Sequence, residues 1–236
     1  SAYFEIEEFR ASDQQYDWTL EQLAKLPILW YGGADLSKLH DLTAGALYGT
    51  YKDVDICITH AFFPRTAAVK KSDEDNIPLF GWEEDGWLTM SNTATVLPDD
   101  IVKWFIFMKQ TGFKIRMVGF DKKFGREFFL KMKKAGFRIK DQPQFFYVKS
   151  EGFRRIEVKV KNKKFYYLHS DAFEYCVQNV RAIEKTDDMI QYEKVDGDGG
   201  VMRIDLFDAG VFSCCQMLDD MALGDIGAKW LNRGSE

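Results

Sequence analysis

Three aspartates, Asp35, Asp121 and Asp205, lie far apart in the chain, yet each closes an apolar segment. Asp35 ends the run Ile28-Leu29-Trp30-Tyr31-Gly32-Gly33-Ala34. Asp121 follows Ile115-Arg116-Met117-Val118-Gly119-Phe120, and Asp205 follows Met202-Arg203-Ile204. A short apolar run punctuated by glycines reads as a buried strand. A carboxylate there is out of character, because without a partner it pays a desolvation cost or takes up a proton. Taken singly, Asp35 reads equally as a loop cap or as the partner of one basic side chain. Three such residues together point to an acidic cluster for divalent metal. Hard cations such as Mg²⁺ and Mn²⁺ prefer carboxylate oxygens to thiolates. Two ions roughly 3.5–4 Å apart suit phosphodiester hydrolysis, which needs an activated water and a stabilised leaving oxyanion.

A chain of 236 residues, 46% hydrophobic and 15% aromatic, can bury a substantial core as one large domain or two small ones. No apolar run approaches the ~20 residues of a membrane span, and the first residues do not resemble a signal peptide. The four cysteines, Cys57, Cys176, Cys214 and Cys215, show no C-x-x-C spacing and read as buried free thiols. His40, His60 and His169 are too dispersed for a zinc site. The net charge of −5 hides an asymmetry: residues 101–164 hold 19 Lys/Arg against 5 Asp/Glu. This basic block surrounds Asp121, which suits a polyanion brought to a metal site. A plain solvated face is the alternative.

The elements that would position these residues follow from pattern. Thr19-x-x-Gln22 is a capping box opening a short helix through Lys25. Leu42 to Tyr51 and Val54 to Phe63, joined at Lys52-Asp53, predict an antiparallel hairpin. Short helices are expected between Pro64 and Trp87. Pro98-Asp99-Asp100 starts a helix to about Gln110, with Gly112 just past its end. A strand over Lys114 to Phe120, a helix over Lys122 to Ala135 and a short strand over Phe137 to Lys140 follow. Residues 152–161 and 172–179 read as helices, 180–195 as a hairpin turning at Thr186-Asp187-Asp188, and the chain closes with an apolar helix. The Asp196-Gly197-Asp198-Gly199-Gly200 segment reads as a flexible turn, since it lacks the downstream spacing of a calcium loop. Three early strands, a helix, a fourth strand and then further helices and strands match the order of the ribonuclease H-like fold. That fold is an α/β architecture with a mixed central sheet flanked by helices; an additional β-hairpin is expected here.

With those stretches in view, the chain resembles the nuclease domain of the large terminase subunit of tailed bacteriophages. The resemblance rests on Gly32-Gly33-Ala34-Asp35-Leu36-Ser37 with Asp41-Leu42-Thr43-Ala44, on Gly86-Trp87-Leu88-Thr89, and on Gly119-Phe120-Asp121. It continues through Asn179-Val180, Lys194 and Arg203-Ile204-Asp205. It implies a metal-dependent endonuclease that cuts double-stranded concatemeric viral DNA during genome packaging in the host cytoplasm. Implied partners are the terminase ATPase domain, the small terminase subunit and the portal, with no membrane involved. No G-x-x-x-x-G-K-[ST] occurs in the chain, so the motor is expected elsewhere. Residues 1–30 are then expected as a linker and helical segment, and residues 31–236 as the nuclease domain. Asp208 departs from the family pattern, which usually has a small or apolar residue there.

On this reading Asp35 bridges two Mg²⁺ or Mn²⁺ ions, with Asp121 and Asp205 each completing one side. Asp208, one turn deeper in the final helix, serves as an indirect or alternative ligand. Lys122, Lys123, Arg126 and Lys194 are candidate phosphate contacts, each with a plain surface charge as the alternative. Most of the aromatic residues Phe145, Phe146, Tyr147, Phe165, Tyr166 and Tyr167 are expected in the core, although stacking on bases is open to them. Competing functions are a junction resolvase or transposase-like nuclease of the same fold, and a polyanion-binding module with structural aspartates.

Overall fold

In the computed structural model, which describes residues 1–37, 39–123, 125–197 and 203–234, strand β1 (Leu29–Asp35) is buried from Trp30 onward. That pattern belongs to a strand covered on both faces. β1 pairs antiparallel with β2 (Thr43–Tyr51), which pairs antiparallel with β3 (Val54–Pro64). The turn between β2 and β3 has Lys52 and Asp53 at φ 48° and 72°, the conformation a two-residue hairpin needs. β4 (Leu88–Ser91) lies parallel to β3, β5 (Lys114–Phe120) parallel to β1, and β6 (Ile139–Asp141) parallel to β5. With β7 (Phe165–Tyr166) on β3, the described residues form a seven-stranded mixed sheet ordered β4-β3-β2-β1-β5-β6. β8 (Val180–Glu184) and β9 (Ile190–Lys194) form a separate hairpin.

Helices α1 (Ile6–Asp13) and α2 (Leu20–Lys25) precede the sheet, and α2 carries the expected capping box. α3 (Arg65–Asp75) and α4 (Leu79–Glu84) fill the β3–β4 connection. α5 (Pro98–Thr111) and α6 (Arg126–Lys134) cover one face through Ile101, Phe105, Met108, Phe128 and Met132. α7 (Phe146–Lys161), α8 (Asp171–Gln178) and α9 (Asp205–Gly234) cover the other through Phe153, Phe173, Phe207 and Val211. Among the described residues no helix is long and apolar enough to cross a membrane.

Several element boundaries differ from expectation for physical reasons. α7 begins at Phe146, not Gly152, and runs through that glycine. A Cβ at Gly152 would lie 2.9 Å from the Val211 carbonyl oxygen, so the residue lets α7 lie directly on α9. α6 starts at Arg126 because Lys122 and Lys123 are taken up by a turn after β5. The two- and four-residue strands β7 and β4 are too short to show a period. Residues 1–30 pack onto the rest of the chain: Phe9 is fully buried, and Ser12 exchanges hydrogen bonds with the Phe165 backbone at 2.7 and 2.9 Å. The four cysteines are buried free thiols. In the Asp196–Gly200 segment, Asp198, Gly199 and Gly200 lie outside the described residues, as does Met202 before Asp205.

Candidate metal centre

Asp35 sits at the exit of β1 with 8% of its surface exposed. Its Oδ1 accepts the Ser37 hydroxyl at 2.9 Å and the Ser37 backbone N–H at 3.3 Å. Burial pushes the Asp35 carboxyl well above its ordinary value. The charges of Asp208 and then Asp205 push it further in the same direction, against the Ser37 bonds.

These two residues reach Asp35 because α9 lies directly on β1. A Cβ at Gly33 would stand 2.5 Å from the Ala209 carbonyl oxygen and 2.7 Å from the Ser213 nitrogen. Only glycine permits that approach. Asp205 opens α9 one turn before Ala209, while Asp35 lies two residues beyond Gly33. A helical turn advances about 5.4 Å and two strand residues about 6.6 Å, so both chains arrive at one level. Asp205 is 4% exposed. Asp208 Oδ1 accepts Lys149 Nζ at 2.9 Å, and the Tyr192 hydroxyl donates to the same oxygen. The Lys149 ammonium also lies 4.6 Å from the Tyr192 ring centroid and 5.3 Å from that of Phe212.

Asp121 leaves the adjacent strand at the same end of the sheet. The parallel register pairs Ala34 with Phe120, which places Asp121 beside Asp35. It is half-buried, and its Oδ1 accepts the Lys123 backbone N–H at 3.0 Å. Lys122, Lys123 and Arg126 have exposed side chains on the following connection and the start of α6. Lys194, by contrast, ends β9 with only 7% of its surface exposed.

The entry to α9 is clamped from three sides. Arg203 is buried and pairs with Asp41 Oδ2 at 2.9 Å and Asp75 Oδ2 at 3.4 Å. Its carbonyl oxygen accepts the Asn179 side-chain amide at 3.1 Å. Burial raises the Asp41 carboxyl, but Arg203 and the Leu42 backbone N–H outweigh it and leave Asp41 below its ordinary value. Lys149, Tyr192, Ser37 and the Asp41–Arg203–Asp75 grouping were not singled out by spacing. Their roles arise from contacts between remote elements, and no local pattern signals them.

The donor chemistry fits a hard divalent cation: buried carboxylate oxygens, like-charged and close enough to disfavour one another's ionisation. Among the described residues, no three His, Cys, Asp or Glu side chains stand close enough to close round one ion. The fit therefore rests on the donors rather than on a formed shell.

The family described as the terminase large subunit, endonuclease domain, matches residues 27–218, from the start of β1 into α9. The chain belongs to that family. This terminase nuclease domain superposes on the crystal structure of the HK97 bacteriophage large terminase with a TM-score of 0.79 and 19% identity. The match covers 92% of this chain and 43% of that one, so the chain spans less than half of that large terminase. The nuclease of the large terminase from thermophilic phage G20c matches at TM-score 0.52 and 11% identity, over 79% of this chain and 81% of that one. Its structure with bound magnesium matches at 0.51 and 10%, over 81% and 83%. At these identities the likeness shows the ribonuclease H-like fold. No curated protein sequence matches the chain. The terminase nuclease match spans all four aspartates and both partners of the Asp41–Arg203 pair.

Proposed function

We propose that this nuclease domain is a divalent-metal-dependent endonuclease that cuts double-stranded DNA concatemers during viral genome packaging in the host cytoplasm. The observation that carries the reading is the fully enclosed Asp35 held against Asp205 and Asp208 at the sheet end where Asp121 also emerges. Such an arrangement is unfavourable as a purely structural device, because each carboxylate raises the cost of ionising the next. It is favourable as a receptor for divalent cations, and the G20c nuclease with bound magnesium supports that choice.

Asp35, Asp121 and Asp205 would hold two Mg²⁺ or Mn²⁺ ions, with Asp35 between them. The ions would activate water and stabilise the leaving oxyanion. The Ser37 hydroxyl and backbone N–H orient the Asp35 carboxylate. The Arg203 pairs with Asp41 and Asp75 hold the start of α9, and hence Asp205, at the level of β1. Lys149 and Tyr192 hold Asp208 ionised and turned toward α7 and β9. This supports an indirect role for Asp208. A second reading has Asp208 as the direct ligand in place of Asp205, and one observation favours it: Asp208 exerts the larger electrostatic push on Asp35.

Exposed Lys122, Lys123 and Arg126 would contact phosphates beside Asp121. Lys194 is buried, and we assign the phosphate track to the three exposed cations alone. The net charge of −5 makes long-range attraction to DNA weak. An ATPase motor, small terminase subunit and portal would supply the local DNA concentration in the complete machine. Digestion of supercoiled plasmid with Mg²⁺, Mn²⁺ or chelator tests the proposal. Nicking with either metal and none in chelator is expected. Equal nicking in chelator, or none with both metals, overturns it.

A further inference from the structure

The connection from β6 to α7 leaves two aromatic rings in solvent at the carboxylate end of the sheet. Phe145 is 61% exposed and Tyr147 is 49% exposed, yet their rings lie parallel, 5.3 Å apart at 4°. Residues two apart do not face one another along a regular helix. The stack forms because Phe145 is the extended residue capping α7, and it adds a flat apolar surface that nothing in the chain covers. Phe146, edge-on to Tyr147, points the other way, toward the β8–β9 hairpin. There a cavity of about 130 Å³ is lined by Gln144, Phe146, Lys149, Ile190, Gln191 and Tyr192. Two of these, Lys149 and Tyr192, are the residues that hold Asp208. Platform and cavity therefore adjoin the carboxylates, and both sit in or beside the segment 101–164, with its 19 Lys/Arg against 5 Asp/Glu.

From this placement we infer that the protein takes one unpaired nucleobase beside the phosphate it cuts, stacked on Phe145 and Tyr147 and edged into the cavity. The inference rests on the DNA reading above and deepens it. Flat rings set in a basic surface suit a nucleobase on a polyanionic backbone better than an apolar protein segment. The cavity has room for one planar base, and the Gln144 and Gln191 amides offer hydrogen bonds to its edge. A paired base must be unstacked before it can enter, and that cost is least where a base is already unpaired. The surface thus predicts preference for a bulge, mismatch or frayed end over continuous duplex.

The test is binding of two short duplexes in Ca²⁺, one fully paired and one with a single bulged 2-aminopurine, followed by anisotropy and by 2-aminopurine fluorescence. Stacking on one or two rings should make the bulged duplex bind about tenfold tighter, with its fluorescence quenched. Phe145→Ala/Tyr147→Ala should bring the ratio close to one and remove the quenching, with paired-duplex affinity retained. Phe145→Trp, which keeps a ring, should keep both. A ratio near one in the wild type, or a ratio that survives the double substitution, overturns the inference, and the latter result assigns the rings to a protein contact. Failure of the wild type to bind either duplex defeats the DNA reading itself.

Discussion

The two ends of the central sheet each bury an aspartate, and the chain treats them in opposite ways. At the far end Asp55, fully buried near the start of β3, receives Arg155 through two bonds of 2.8 and 3.0 Å, with the Tyr48 hydroxyl at 2.6 Å. Lys159 stands 3.8 Å away. At the near end Asp35 receives only Ser37 among the bonds that oppose its protonation, and it faces Asp208 and Asp205. A buried carboxylate in a hydrogen-bonded ion pair is a strut whose removal leaves an uncompensated charge. One held against its own kind costs stability and gains only when a cation arrives. The difference separates structural from functional aspartates without reference to any relative.

The largest effect expected from breaking this contrast is on activity. Asp35→Asn should reduce Mn²⁺-dependent plasmid nicking to background, whereas Asp55→Asn should still nick in proportion to the folded protein present. Equal losses in both variants would dissolve the distinction.

Stability should move the other way. Asp55→Asn should cost roughly 3 kcal/mol in urea unfolding, because Arg155 loses its charged partner. In chelator, Asp35→Asn should raise the melting temperature, since it removes a buried like-charged group. Mn²⁺ should stabilise the wild type by mass action and do little for Asp35→Asn.

Within the near end, Asp205→Asn should abolish nicking, while Asp208→Asn, which frees Lys149, should lower it and shift the Mn²⁺ optimum. Nicking by both variants with Mn²⁺ titrated calorimetrically decides between the two ligand readings. A dead Asp208→Asn beside an active Asp205→Asn would exchange their roles.

The smallest effect is on the pH dependence of melting in chelator, and its sign differs between two carboxylates. Asp35 is raised, so the folded state holds its proton more tightly and stability falls as pH rises above 3.8. Asp41 is lowered, so its contribution is present above 3.8 and is lost as pH falls through its folded value. Asp35→Asn should flatten the decline on the alkaline side, and Asp41→Asn the decline on the acid side.

Much of the fold was legible locally. The Thr19–Gln22 capping box, the Lys52-Asp53 turn, the start of α5 at Pro98 and the β8–β9 hairpin are written in neighbouring residues, where propensity and period act. The ordered short motifs likewise indicated the terminase nuclease family and its mixed sheet, which the family match and the fold bear out. The position of three aspartates at segment ends was visible for the same reason. Tertiary structure alone decided which carboxylates meet. Gly32-Gly33 reads in sequence as punctuation, yet Gly33 is where α9 rests on β1 and carries Asp205 and Asp208 to Asp35. Asp41, Asn179 and Arg203 appear as separate motif fragments, and only folding makes them one clamp on the start of α9. Lys149 lies 59 residues from Asp208, and no periodicity within α7 or α9 encodes their bond. Backbone preferences are set by neighbours a few residues away, whereas convergence of charge depends on how closely packed elements approach. In this chain that approach is set at a single missing Cβ.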